Sequence, residues 1–178
     1  MYNLKKQTSG SEEYSKEITD KVSRICEYYE RHNDFQFQRK IIMFMIEVIE
    51  YCIPEKYFVT SKKHIHFYIQ EALQIWKNGG SEEELNKIKL EYINSISREK
   101  PLEKVLENKK ENAVMNCMAG VLHNGHDDLT NQFRYDFLEL FINELEILNI
   151  GREQYINELL DKHFSDLLFS ASTKKDDF

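Results

Sequence analysis

Two short stretches of the chain hold the residue types that ligate metal. "HNGHDDL", His123 to Leu129, places two histidines and two aspartates within a few positions of one another. Imidazole and carboxylate ligands of this kind suit zinc, manganese or iron. "HIH", His64 to His66, offers two imidazoles separated by one isoleucine. On a strand these would share a face; on a helix they diverge by about 200° and cannot hold one ion. The flanking residues keep helical spacing, so the pair is read as two independent histidines. The first stretch also has a purely structural reading, which is preferred. Gly125 ends one helix there, and Asp127 or Asp128 caps the next.

Other chemistries find less support. The serines and threonines form no GxSxG elbow. Cys26, Cys52 and Cys117 form no CxxC pair, and no histidine lies beside any of them in sequence. Reduced cysteines packed in a cytosolic protein are the expectation. Aromatic residues, 12% of the chain, are interleaved with aliphatic ones at helical spacing, which suits a core better than a base-stacking platform.

His126–Asp127 resembles the His-Asp pair of the HD-domain phosphohydrolases, an all-helical family of metalloenzymes. The resemblance implies metal ligation by His126 and Asp127, with His64 or His66 as the upstream ligand and Asp161 or Asp166 as the downstream one. The match has departures. The upstream histidines lie about twice as far away as in that family, and Asn124 and Gly125 stand where it has apolar residues. The hydrolase is therefore the alternative reading, and the preferred one has neither metal nor cofactor.

The elements that would position these residues follow from apolar periodicity and from glycine and proline. In a first helix, about Ser11 to His32, Ile18, Val22, Ile25 and Tyr29 share a face, and Ser11 is the expected cap. A second, about Asp34 to Ile53, ends before Pro54. Its middle is apolar on nearly every side, so Ile41–Ile53 is expected at the centre of the fold, with a buried strand as the competing assignment. A third, about Ser61 to Asn78, presents Ile65, Ile69, Ala72, Leu73 and Trp76 on one face. A fourth from Ser81 presents Leu85, Ile88, Tyr92 and Ile96. A fifth runs from Pro101 to about Leu122. A sixth, about Asp127 to Asn149, carries Leu129, Phe133, Phe137, Phe141, Leu145 and Leu148. After Gly151 comes a seventh, with Tyr155, Leu159, Phe164 and Leu167 or Leu168 facing inward.

The glycine pair in "IWKNGGSEEEL" is a corner. Gly79 or Gly80 supplies the left-handed conformation that ends the third helix. Ser81 caps the fourth and pairs with Glu84 in a capping box, while Glu82 and Glu83 complement the dipole. Three glutamates at a helix start would repel a phosphate, so this is no nucleotide loop.

The chain thus reads as a single-domain all-α bundle of about seven helices over residues 11–169. A flexible N-terminus, 1–10, and a disordered tail, 170–178, flank it. No apolar run approaches a membrane span, and the first residues lack an apolar signal core, so a cytoplasmic protein is expected. Net charge is −7 and unevenly placed. Residues 1–112 carry 19 acidic and 19 basic side chains, whereas residues 113–178 carry 12 acidic and 5 basic. That asymmetry disfavours nucleic acid and favours a basic protein partner.

"IQEALQIWKNGGSEEELNKIKLEYINSI" resembles a motif in an all-helical family of bacterial immunity proteins from polymorphic toxin systems. There, an amphipathic helix ends in tryptophan, a short glycine turn follows, and a capped helix opens with acidic residues and leucine. Trp76, Gly79, Ser81, Glu84 and Leu85 are the matching positions, and the resemblance spans about residues 62–145. This chain has Lys, Asn and Ile afterwards where that family is rich in alanine. The resemblance implies a protein that is not an enzyme and that neutralises a cognate toxin domain by direct contact. The sixth helix supplies the expected contact face. Opposite the stripe through Phe133, Phe137, Phe141 and Leu145 lie Asp136, Glu139, Asn143 and Glu146, a ridge spaced three, four and three.

Overall fold

The computed structural model describes residues 14–123 and 135–170. Among them are eight α-helices, one 3₁₀ turn and no strand. The helices are α1 (Lys16–His32), α2 (Phe35–Cys52), α3 (Lys62–Lys77), α4 (Glu82–Glu99), α5 (Leu102–Glu107), α6 (Lys109–Val121), α7 (Phe137–Leu148) and α8 (Glu153–Phe169). The 3₁₀ turn, Glu55–Tyr57, links α2 to α3.

The apolar segment within 41–53 is helix, not strand, and it is the axis of the bundle. Ile41, Ile42, Phe44, Met45, Val48 and Ile49 are almost completely buried, and α2 packs against α3, α6, α7 and α8. A helix covered on several sides keeps only a narrow polar strip, here Gln36, Lys40, Glu47 and Glu50, which is why its sequence is apolar on nearly every other side. The expected inward faces of α1, α3 and α4 are the buried ones, from Ile18 and Val22 through Trp76 to Ile96. Leu73 and Tyr155 are only half-buried against this core.

The glycine corner has the geometry its sequence implies. Gly79 and Gly80 both have positive φ, 107° and 67°. The Gly80 N–H donates to the Ile75 carbonyl at 2.9 Å, closing the end of α3. Ser81 Oγ accepts from the Glu84 N–H, so α4 starts capped. Gly80 is further constrained by packing. A Cβ there would stand 2.8 Å from Trp76 Cζ3 and 3.1 Å from Phe35.

Three boundaries differ from the sequence expectation. The cap of α1 is Ser15, whose side chain accepts from the Ile18 N–H; Ser11 lies outside the described residues. The expected fifth helix is two. Asn108 closes α5 and caps α6 by accepting from the N–H groups of Lys110 and Glu111, a role that a short amide fills well at an extended backbone position. The sixth helix begins at Phe137, so Tyr135 and Asp136 form a turn before it. At its other end Asn149, at φ 48°, supplies the left-handed cap.

Candidate functional site

α7 is wedged between neighbours rather than laid over one. It packs most extensively on α6, and also on α1 and α2. Leu138, Phe141, Ile142, Leu145 and Leu148 are its buried residues, and Phe137 is half-buried. Because helices cover two flanks, the solvent-facing strip is narrow and rotated from the one expected. Glu139 and Asn143 are exposed, as predicted. Asp136 and Glu146 are not free: both are half-buried. Glu146 Oε1 accepts the Tyr14 N–H at 3.0 Å, tying the start of α1 to α7. Asp136 and Glu139 both lie close enough to Cys26 of α1 to act on its thiol. Burial pushes that thiol up to about 12, and their negative charge adds to the rise.

What replaces Asp136 and Glu146 on the open strip is apolar. Leu140 is 42% exposed and Ile147 47%. With Asn143 between them they form a line two turns long, flanked by Glu139 on the α1 side. On the α6 side Glu144 accepts from Asn116 Nδ2 at 3.0 Å. Burial raises the Glu144 carboxyl, with the amide hydrogen bond opposing. The surface is therefore a narrow apolar ridge with carboxylates on both shoulders. The sequence pattern missed Leu140 and Ile147. Their own signal was their placement between the core stripe and the polar ridge, where either burial or exposure is consistent with a 3.6-residue period.

On α8 the acidic residues are dispersed. Asp161 receives Lys21 at 2.6 Å, within a cluster where Lys21 also contacts Glu17 and Asn157 and fastens α1 to α8. Glu158 accepts from Gln154, and Asp166 lies 4.0 Å from Lys40 with 93% of its side chain exposed. Near the start of α2, Tyr28, Phe37, Lys40, Phe164, Asp166 and Leu167 line an open groove of about 380 Å³.

Among the described residues the candidate metal ligands do not converge on one site. His66 Nδ1, on α3, meets Glu50 of α2 at 2.9 Å, and His64 is exposed at the start of α3. Asp161 and Asp166 are engaged by Lys21 and Lys40. His126, Asp127 and Asp128 lie outside the described residues. Among the described residues no three histidine, cysteine, aspartate or glutamate side chains are grouped as a metal site would need. The three cysteines are unpaired and buried; Cys52 and Cys117, like Cys26, have thiols raised by burial, which makes all three poor nucleophiles.

A second polar cluster joins α2 to α8. Lys162 Nζ and His163 Nε2 donate to the two oxygens of Glu47 at 2.8 and 2.7 Å, above the edge of Phe44. It orients side chains, yet the pocket-lining residues of the groove are not among its members. Among the described residues no helix is long and apolar enough to cross a membrane. Compared with protein-family models, with curated proteins and with solved structures, the chain matches none.

Proposed function

We propose that this chain is a cytoplasmic binding protein that neutralises a basic toxin domain by direct contact, without turnover of a substrate. The observation that carries the reading is the open strip of α7. Leu140 and Ile147 supply an apolar anchor of the kind that is desolvated at the centre of an interface. Glu139 on the shoulder of the strip, in the acidic C-terminal third of the chain, supplies negative charge beside it. Such charge accelerates encounter with a basic partner and aligns it before the apolar contact forms. The resemblance around Trp76, Gly79, Ser81, Glu84 and Leu85 implies immunity as the specific form. Those residues then build the scaffold, because Trp76 is 1% exposed and lies in the core.

The test uses the whole chain. The C-terminal domain encoded by the gene immediately upstream is expressed in bacteria with and without this protein. Rescue of growth, with a stable complex whose association slows as salt rises, is the expected result. Growth arrest that the protein does not relieve, or relief without a complex, overturns the reading.

A further inference from the structure

On the 3₁₀ turn Glu55–Tyr57, which packs against α6, two ammonium groups converge on one phenol. Lys110 Nζ donates to Tyr57 Oη at 3.0 Å and lies 4.7 Å from the ring centre. Lys56 Nζ lies 5.1 Å from the same centre. Among the described residues neither lysine pairs with a carboxylate. The acidic side chains nearest to them in sequence pair elsewhere or with neither lysine. Glu111 holds Lys100 at 2.5 Å, Glu107 holds Lys104 at 2.9 Å, and Glu55 is exposed and pairs with neither lysine.

More lysines stand close by in sequence. α6 opens with Lys109 and Lys110, and α3, four residues beyond Phe58, opens with Lys62 and Lys63. Lysines at a helix start oppose the dipole, whereas α4 opens with three glutamates. Lys110 gains its contact with Tyr57, but among the described residues no carboxylate pairs with it, and an anion would relieve the repulsion between it and Lys56. The first backbone N–H groups of α6 are already taken by Asn108 Oδ1. Recognition therefore falls to side chains rather than to the helix end.

We propose that Lys56, Tyr57 and Lys110 form a binding site for the phosphoryl group of a small phosphorylated molecule. Two ammonium groups and one hydroxyl are a three-donor set. It matches a tetrahedral dianion with three outer oxygens better than a planar, singly charged carboxylate. Tyr57 and Lys110 are half-buried, so the donors are held by packing, whereas exposed Lys56 closes over the ligand from the open side. The Tyr57 phenol is held below its ordinary range, first by the Lys110 hydrogen bond and then by both positive charges. A more acidic phenol is a stronger donor to an anionic oxygen. This site lies on the turn and α6, not on the α7 strip, and it does not depend on the proposed partner.

The experiment is a titration of the full chain with sodium pyrophosphate, and separately with inorganic phosphate, followed by nuclear magnetic resonance. Sodium chloride at matched ionic strength is the control. Saturable shifts centred on Lys56, Tyr57 and Lys110 are expected, with pyrophosphate the tighter of the two. Lys56→Gln, at an exposed position, is expected to weaken binding about tenfold while the spectrum stays that of the folded protein. Tyr57→Phe is expected to weaken it by a similar factor of about ten. Shifts that follow ionic strength alone, that spread evenly over all exposed lysines, or that persist at full affinity in Lys56→Gln overturn the assignment.

Discussion

Trp76 Nε1 donates to the Val121 carbonyl at 3.0 Å across the bundle. The single tryptophan of the chain thus satisfies a carbonyl in the last turn of α6, where intrahelical partners run out, and its ring stacks on Phe35 at 6.0 Å. The indole therefore joins the α3 corner, the α2 start and the α6 end. Trp76→Ala is expected to cost about 3–5 kcal/mol, from the cavity and from the abandoned carbonyl. Trp76→Phe should cost less, because it keeps most of the ring volume and loses only the donor. Chemical denaturation of the two variants measures both. A loss under about 0.5 kcal/mol for the alanine variant would contradict this packing.

The two corner glycines should separate under the same assay. Both have positive φ, so alanine at either is strained. Beyond Gly79 there is open space, whereas a Cβ on Gly80 meets the Trp76 ring at 2.8 Å. Gly79→Ala is expected to cost about 1–2 kcal/mol, the strain of an L-residue held at φ 107°. Gly80→Ala should cost about 2 kcal/mol or more, since the indole must move. Equal losses would mean that backbone conformation alone matters at the corner.

Much of this was legible in the sequence, and each failure has an identifiable cause. Ile18, Trp76, Leu85 and Ile96 are buried as their periodicity required, and Gly79, Gly80 and Ser81 form the corner their chemistry specified. Asn108 was missed although its signal was present: it stands in the polar run Glu107 to Asn112, three residues before Glu111, the spacing of a capping box. The α7 ridge was misplaced for another reason. Periodicity finds the most buried line of a helix, but it cannot tell which flank a second neighbour covers. Here α1 takes the flank carrying Asp136 and Glu146, and that leaves Leu140 and Ile147 outside. Long-range partners such as Lys21 with Asp161 have no local signature at all.

Two carboxylates should give the folded state opposite pH responses. At Glu47, burial opposes ionisation, but the hydrogen bonds from Lys162 and His163 prevail and hold its carboxyl below the ordinary value of 4.5. Its contribution is present above that value and is lost as pH falls through the lower, folded one. At Glu144, burial raises the carboxyl above 4.5. The folded state there binds its proton more readily, so this group weakens stability as pH rises through the raised value. Glu47→Gln is expected to destabilise the protein by about 1 kcal/mol at neutral pH and to flatten the acid limb of the stability curve. Glu144→Gln, which keeps the shape, should stabilise at neutral pH and become neutral in effect below the ordinary carboxylate value. Melting temperatures across the acid range decide both, and a stabilising Glu47→Gln would reverse the assignment.

The "HNGHDD" stretch gives a direct test of action without metal chemistry. His126→Ala is expected to leave metal content and partner binding unchanged in protein purified without chelator. Stoichiometric zinc, manganese or iron that disappears in this variant, together with hydrolysis of a phosphorylated substrate, would favour the hydrolase reading of His126 and Asp127 instead.

On the α7 strip, charge and apolar contact should act on different kinetic steps. Glu139 and Asn143 are exposed and bear no part of the core, so Glu139→Lys with Asn143→Lys is expected to leave stability within about 0.5 kcal/mol. Association with a basic partner should slow by about tenfold at low salt, and the difference should shrink as salt screens the field. Leu140→Ala with Ile147→Ala removes the anchor without changing charge. Its effect should fall mainly on dissociation, faster by about tenfold or more, with little change in the salt dependence of association. Asp136→Asn, at a half-buried position against α1, is expected to alter stability more than binding. Surface plasmon resonance at several salt concentrations separates the two rates. If both double variants bind with unchanged rates, the partner does not touch α7, and Glu158 and Asp166 of α8 become the next residues to reverse.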